Sequence, residues 1–255
     1  MNFQEKYASY YNIIYQNKDY AGEVDYILSL LNKYQPNLES ILELGCGTGK
    51  HALILSEKGY QIDGVDLSNE MISIANGQLQ ILPHNIVSKV HFKQGDLRTV
   101  RMAKKYDAIV SLFHVMSYQT SNEDLSAAFE TAKVHLKPGG IFLFDCWYGP
   151  GVLSDRPTTR VKRLENSQIS MLRIAEPVML PNENLVDVNY EIIITDKNDL
   201  TSNHFHERHR MRYLFQPEVK LLLEKHNLEL LQCNEWVTNA IPGFSSWEVY
   251  FLARA

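Results

Sequence analysis

The chain has 255 residues, 45% apolar and 22% charged, with 25 Lys+Arg against 30 Asp+Glu and a formal net charge of −5. Those proportions suit a globular protein of one large domain with an insertion, big enough to hold a core without disulfide or metal staples. The acidic balance leaves no positive field for a nucleic-acid backbone, and no apolar run approaches the roughly 18 residues of a membrane-spanning helix, so neither partner is expected.

In chain order, residues 1–6 lack the charged-then-apolar pattern of a secretion leader. Cys46, Cys146 and Cys233 stand far apart in no metal or disulfide spacing. Both point to a cytoplasmic location. Residues 3–34 hold no turn cluster, and Ile27, Leu28, Leu31 and Tyr34 recur with helical spacing until Pro36 stops the helix. From Ser40 short apolar runs alternate with helical segments. A strand over 41–44 runs into Gly45-Cys46-Gly47-Thr48-Gly49, and a helix follows that Lys58-Gly59 stops. A strand over 61–65 ends in Asp66-Leu67, after which Ser68 caps a helix to about Asn76. A third strand, 89–94, ends in Gly95-Asp96, and 106–113 reads as a near-continuous apolar fourth. Ser121-Asn122-Glu123-Asp124 fits a capping box for a helix to His135. Pro138-Gly139-Gly140 then turns into a fifth strand at 141–144, buried on both faces. Beyond Pro150 the stretches 169–174, 185–195 and 204–215 follow one another without helices, as antiparallel strands do. Pro217 opens a helix to His226, and strands over 228–236 and 247–253 close the sheet. The expected fold class is α/β, a doubly wound and mostly parallel sheet with an antiparallel-sheet insertion after strand five.

The glycine-rich turn lies between a strand and a helix, where bare backbone lets a ligand approach closely. It is not a Walker phosphate loop: Leu44 stands where that loop begins with glycine, and His51 replaces the Ser/Thr that would hold Mg²⁺. Its glycines are spaced one-three-five, not one-three-six as in the dinucleotide pattern. A tight turn without a ligand is the plain alternative. Against it stand three carboxylates at successive strand ends, Glu43, Asp66 and Asp96, which converge on one crevice beside the topological switch point. Such a set suits a ligand with an amino group, a ribose and an exocyclic amine. S-adenosylmethionine has all three.

The segments 43–49, Gly64-Val65-Asp66-Leu67-Ser68 and Gln94-Gly95-Asp96-Leu97 resemble the first three motifs of class I S-adenosylmethionine-dependent methyltransferases. The likeness is stronger to one branch, the N,N-dimethyltransferases of nucleotide-linked amino sugars. It takes in Tyr11-Asn12, Lys18-Asp19-Tyr20, residues 105–110, residues 136–140, Trp147, Pro150 and Leu214-Phe215. The resemblance implies a seven-stranded Rossmann-like core over 36–150 and 216–255, N-terminal helices over 1–35 that close on the cofactor, and an insertion over 151–215 for substrate or dimer contacts. It implies S-adenosyl-L-methionine as cofactor and S-adenosyl-L-homocysteine as product. Glu43 and the Gly45 backbone would hold the methionine end, Asp66 the ribose, and Leu67 the adenine face, while Asp96 and the Leu97 amide would read the adenine edge. Cys46, Gly47, Met71 and Leu112 would line the same site, with Tyr11 and Tyr20 closing over it.

On the acceptor side, His114 and Tyr118 follow strand four at its carboxyl edge, where catalytic groups belong. They are expected to position the acceptor, because no carboxylate close in sequence would tune the histidine as a base. Trp147, Tyr148, Arg156, Arg160 and Arg210 are the expected substrate contacts. Arg156 and Arg160, with Lys162 and Arg163, form a basic cluster that could clasp a pyrophosphate or simply face water. The chain departs from the branch at Tyr118, where the family has histidine, at Phe3, where it has tyrosine, and at Ser245-Ser246-Trp247-Glu248, where it has Gly-Arg-Gly. The first two touch the substrate pocket, and the third removes an arginine expected near the nucleotide sugar. His204, His206 and His209 make no expected metal site, since the third falls on the opposite strand face and no fourth ligand is near. Arg208, Arg210 and Arg212 share the His204 face, expected to form a basic inner wall over the active-site mouth.

The leading expectation is methyl transfer to a small molecule, on the amine of a nucleotide-linked amino sugar, with a homodimer left open. The alternatives are a methyltransferase-fold binding module without turnover, an O-methyltransferase acting on another metabolite, and a nicotinamide oxidoreductase, which the glycine spacing disfavours.

Overall fold

A computed structural model of the protein describes residues 14–255. Helix α1 (Tyr20–Tyr34) is capped by Asp19, whose side chain accepts from the Gly22 N–H, and it buries Val24, Ile27, Leu28, Leu30 and Leu31. Strands and helices then alternate: β1 (Ser40–Leu44), α2 (Lys50–Glu57), β2 (Gln61–Asp66), α3 (Asn69–Leu79), the short α4 (His84–Val87), β3 (Val90–Gln94) and β4 (Tyr106–Ser111). A 3₁₀ turn (Val115–Tyr118) precedes α5 (Asn122–His135), whose Ser121 cap accepts from the Asp124 N–H as the capping-box pattern anticipates. Next come β5 (Leu136–Tyr148), α6 (Gly149–Ser154), β6 (Arg160–Glu165), β7 (Ile169–Leu180), β8 (Leu185–Asp196) and β9 (Ser202–Leu214). Helix α7 (Gln216–Lys225), β10 (Glu229–Glu235) and β11 (Glu248–Arg254) complete the chain.

The strands lie in the order β3-β2-β1-β4-β5, all parallel, with β11 antiparallel on β5 and β10 antiparallel on β11. Alternate residues of each strand serve two cores, as a period of two requires. Ile41, Ala108, Val110, Ile141 and Leu143 pack under α1 and α2 on one face. Leu42, Leu44, Ile109, Phe142 and Phe144 pack under α5 and α7 on the other. The sheet is therefore doubly wound, and its seven-stranded core is the architecture expected.

Strand β5 carries the chain past this core. Strand β4 stops at Ser111, paired with Phe144, while β11 follows β5 on its other edge as far as Trp147. Beyond that point β9 pairs in parallel with Trp147 and Tyr148. It thus takes the edge that β4 vacates and carries with it an antiparallel meander, β9-β8-β7-β6. The meander stands over the carboxyl end of β4, where the 3₁₀ turn lies.

Several expectations need correction. The fifth strand spans Leu136–Tyr148 where 141–144 is expected, and the strand expected at 169–174 runs on to Leu180. Strand four ends two residues early because Phe113 and His114 both take positive φ (64° and 62°), which breaks the ladder. The helix after Ser68 runs to Leu79, three residues beyond Asn76. Helices α4 and α6 are short, and their few residues carry no periodic apolar face. Strand β6 is the edge of the meander, and its charged, mostly exposed residues conceal any alternation.

Candidate active site

The carboxyl ends of β1, β2 and β4 and the inner face of the meander enclose one continuous cavity of about 780 Å³. At the end of β1 the chain turns through Gly45 (φ +82°) and Gly47 (φ +54°). A Cβ on Gly45 would lie 2.5 Å from Val115, so this glycine lets the 3₁₀ turn pack against the loop. A Cβ on Gly47 would meet nothing within 4 Å, leaving bare backbone toward the cavity. The Val65 carbonyl accepts from Gly45 N (2.7 Å) and Cys46 N (3.0 Å), while the Asp66 carboxylate accepts from Gly47 N (2.8 Å) and Ser68 N (2.9 Å). Burial raises the Asp66 pKa above the usual carboxylate value, and these two backbone donors oppose the rise. Each of its oxygens keeps a lone pair for a further donor.

Glu43 is buried at 1% exposure, and its Oε2 has no hydrogen-bond partner among the described residues. His51 stands between two carboxylates, with Nε2 2.9 Å from Glu23 and Nδ1 3.5 Å from Glu43. Burial works against charge on this imidazole, but the two acids prevail and raise its pKa to about 9. The ring of Tyr20 packs edge-on against it at 5.0 Å. Asp96 lines the far side of the cavity with both oxygens in the fork of Arg98, whose hydrogen bonds hold the Asp96 pKa below the usual value. Any ligand atom read by Asp96 has to share it with Arg98.

At the other end, His114 closes the break after β4. Its Nδ1 lies 2.8 Å from Asp145 and its Nε2 3.1 Å from Glu248. Burial opposes protonation, yet the flanking acids raise its pKa to about 10. No carboxylate close in sequence tunes His114, but two that are distant in sequence do so from β5 and β11. The ring is an imidazolium at neutral pH, able to position but unable to accept a proton. Tyr118 is 45% exposed into the wide cavity, and its hydroxyl lies 2.8 Å from His209 Nδ1. His209 Nε2 in turn lies 2.8 Å from Glu207. Trp147, Trp247 and Tyr190 supply aromatic walls, and Arg160 reaches the cavity from β6.

Of the residues expected to bind cofactor, Tyr20, Glu43, Gly45, Cys46, Gly47, Asp66, Leu67, Met71, Asp96, Leu97 and Leu112 line this cavity together with His114 and Tyr118. Tyr11 and Phe3 lie outside the described residues. Among the expected substrate contacts, Trp147 and Arg160 line the cavity and three others do not. Tyr148, one residue on from Trp147, points to the opposite face and packs in the core under α5 and α7. Arg156 is exposed and Arg210 is held by Asp187 at 2.7 Å. The basic inner wall is likewise corrected: Glu207, His209 and Met211 face the cavity, so Arg208, Arg210 and Arg212 face away. Sequence reasoning missed Glu207, His209, Tyr190, Trp247 and Glu248 as lining residues. The alternation Glu207-x-His209 was visible, but their partner Tyr118 is 91 residues away. Among the described residues no group of three His, Cys, Asp or Glu could hold a metal ion, and no helix is long and apolar enough to cross a membrane.

Residues 41–140 match the family model described as a methyltransferase domain. The chain is 27% identical over 221 residues, 86% of its length and 88% of the relative's, to dTDP-3-amino-3,4,6-trideoxy-alpha-D-glucopyranose N,N-dimethyltransferase of Streptomyces venezuelae. Its fold is similar to the crystal structure of Streptomyces venezuelae DesVI, with TM-score 0.80 and 24% identity over 97% of both chains. It is also similar to an S-adenosylmethionine-dependent methyltransferase of Clostridium acetobutylicum, with TM-score 0.79 and 23% identity over 99% of both chains. The cavity fits that cofactor. The unpartnered Glu43 Oε2 matches an ammonium donor, Gly47 leaves open space beside Asp66, and Leu67, 62% exposed, offers an apolar surface to a base. Residues 41–140 carry a methyltransferase domain, and the chain has the fold of the class I methyltransferases it is similar to.

Proposed function

We propose that this S-adenosylmethionine-dependent methyltransferase acts on the amine of a nucleotide-linked amino sugar. The observation that carries the reading is the continuity of the cavity, which joins the cofactor-fitting loop to an acceptor chamber roofed by the meander. The Streptomyces venezuelae relative, named for N,N-dimethylation of a dTDP-linked amino sugar, aligns over most of both chains. When bound, S-adenosylmethionine supplies an electrophilic methyl group on a sulfonium that is already a good leaving group. The protein's task is then to hold the acceptor nitrogen, unprotonated, in line with that methyl carbon.

In this reading Glu43 takes the methionine ammonium and Asp66 the ribose hydroxyls, while Leu67 and Met71 pack on the adenine. Core residues 36–150 and 216–255 bind the cofactor, residues 14–35 of the N-terminal segment close over it, and residues 151–215 hold the sugar. The His114 imidazolium fixes Asp145 and Glu248 behind the acceptor, and the paired indoles of Trp147 and Trp247 form one wall beside it. Arg160 serves the phosphates from the chamber mouth. The test is a screen of dTDP-linked 3-amino and 4-amino sugars, simple amines and hydroxylated analogues, read by S-adenosylhomocysteine release and by product mass. Mono- or dimethylated amino sugar is the expected product. Turnover confined to a hydroxyl acceptor or a simple amine would overturn the substrate assignment.

A further inference from the structure

The geometry points to a proton relay, Tyr118–His209–Glu207, that takes the proton from the acceptor ammonium before methyl transfer. This inference rests on the amine reading above. Glu207 and His209 stand two apart on β9 and so share the face turned to the cavity, while Tyr118 reaches them from the 3₁₀ turn. The two contacts are both 2.8 Å, from Tyr118 Oη to His209 Nδ1 and from His209 Nε2 to Glu207 Oε2. The Glu207 side chain is 1% exposed, and its Oε1 has no hydrogen-bond partner among the described residues. Burying a carboxylate is unfavourable unless it meets a charge or a donor. An imidazole that becomes imidazolium supplies that charge, in the same nucleophile-side logic by which a buried acid orients a histidine base.

The turn that presents Tyr118 is rigid. The His114 N–H donates to Asp145 (2.9 Å), the Ser117 hydroxyl accepts from the Trp147 N–H (3.0 Å), and Met116 is fully buried. Among the described residues, the other titratable or charged groups around this relay include Tyr190 on β8, Arg173 on β7 and Tyr15.

The balance is simple. The acceptor ammonium N–H bond breaks and leaves its electron pair on nitrogen. The proton joins the Tyr118 oxygen as the phenolic proton crosses to His209 Nδ1, and the resulting imidazolium rests on Glu207. It then loses its proton to solvent through the open chamber, ready for a second methylation. Tyr118 is the catalytic residue, and His209 and Glu207 act through it as positioning residues.

The first arm of the test needs no acceptor. Histidine-labelled protein is compared by NMR as wild type, Glu207→Gln and His209→Gln, the last to assign the signal. We expect a hydrogen-bonded His209 Nε2–H signal that is shifted or lost in Glu207→Gln. A His209 ring whose nitrogen and Nε2–H signals are the same in wild type and Glu207→Gln overturns the relay, whatever the acceptor proves to be. The second arm uses the amino sugar turned over in the screen. His209→Gln and Tyr118→Phe should each lower kcat by about 10²–10⁴-fold near neutrality, the range for general-base assistance. KM should change little, the double variant should lose no more than either single one, and alkaline pH should restore much of the rate. A rise in KM with kcat within about threefold of wild type would show simple binding and overturn the relay. A screen without amino-sugar turnover would sink the amine reading and this relay's assigned role with it, while the NMR arm would still report whether His209 donates to Glu207.

Discussion

The Asp66 carboxylate accepts the N–H groups of Gly47 and Ser68 and still faces the cavity, so its removal disturbs the loop as well as any ligand hydroxyl. We expect Asp66→Ala to weaken S-adenosylhomocysteine binding by about 1.5–3 kcal/mol, the scale for hydrogen bonds to a charged group. Asp66→Asn should recover part of the loss, because its amide oxygen can still accept. Calorimetry that finds wild-type affinity in Asp66→Ala would remove this residue from the cofactor site. Gly47 makes a complementary case. A Cβ there meets no atom within 4 Å, yet φ is +54°, a conformation that disfavours a β-branched residue. Gly47→Val should therefore fold with a stability loss of about 1–2 kcal/mol and lose cofactor binding, which thermal unfolding and calorimetry can follow separately. Retained binding would place the cofactor elsewhere.

Among the elements, β9 and α7 are tied together by a single guanidinium. Arg212, 8% exposed at its side chain, bonds to Glu218, to Asn122 at 2.7 Å, and to the Thr120 carbonyl at 3.5 Å. Removing one partner of a buried pair leaves the other uncompensated, so Arg212→Met should lower stability by about 2–4 kcal/mol in urea unfolding. A loss below about 0.5 kcal/mol would mean that water replaces the pair freely. The same strand shows what sequence could and could not tell. Alternation along residues 204–212 correctly separates the His204–Arg208 set from the His209 set. It does not say which set looks inward, because that depends on the register with β8 and on the short seam to β5, both set by partners distant in sequence. The glycine turn and the strand-end acids were legible because their neighbours are local. The acids around His114 were not, since Asp145 and Glu248 arrive on separate strands. Strand β6 stayed hidden for another reason: an edge strand turned to water carries charge where a core strand carries an apolar stripe.

For the whole molecule, the two imidazoliums set a pH window. The folded-state pKa values of His51, about 9, and His114, about 10, both lie above the ordinary 6.5. Such groups stabilise the fold fully below pH 6.5 and lose that contribution as pH rises through their folded values. Wild type should therefore melt above His51→Gln and His114→Gln by on the order of 5 °C at pH 6, with the gap narrowing steadily toward pH 10. A gap that stays constant across this range would mean that neither ring changes charge in the fold. The seam between core and meander has a different consequence. Strand β9 joins β5 through only two residue pairs, Trp147 with Tyr213 and Tyr148 with Leu214, while β7, β8 and β9 pair with one another along most of their lengths. A unit whose strands pair mainly with one another, joined to the core sheet by a short seam, can open without unfolding its neighbour. Hydrogen exchange should then show the meander amides opening together, at lower free energy than those of β1, β4 and β5. The acceptor would in that case enter and leave by a sub-global opening of the roof, and the cofactor half would remain folded through every turnover.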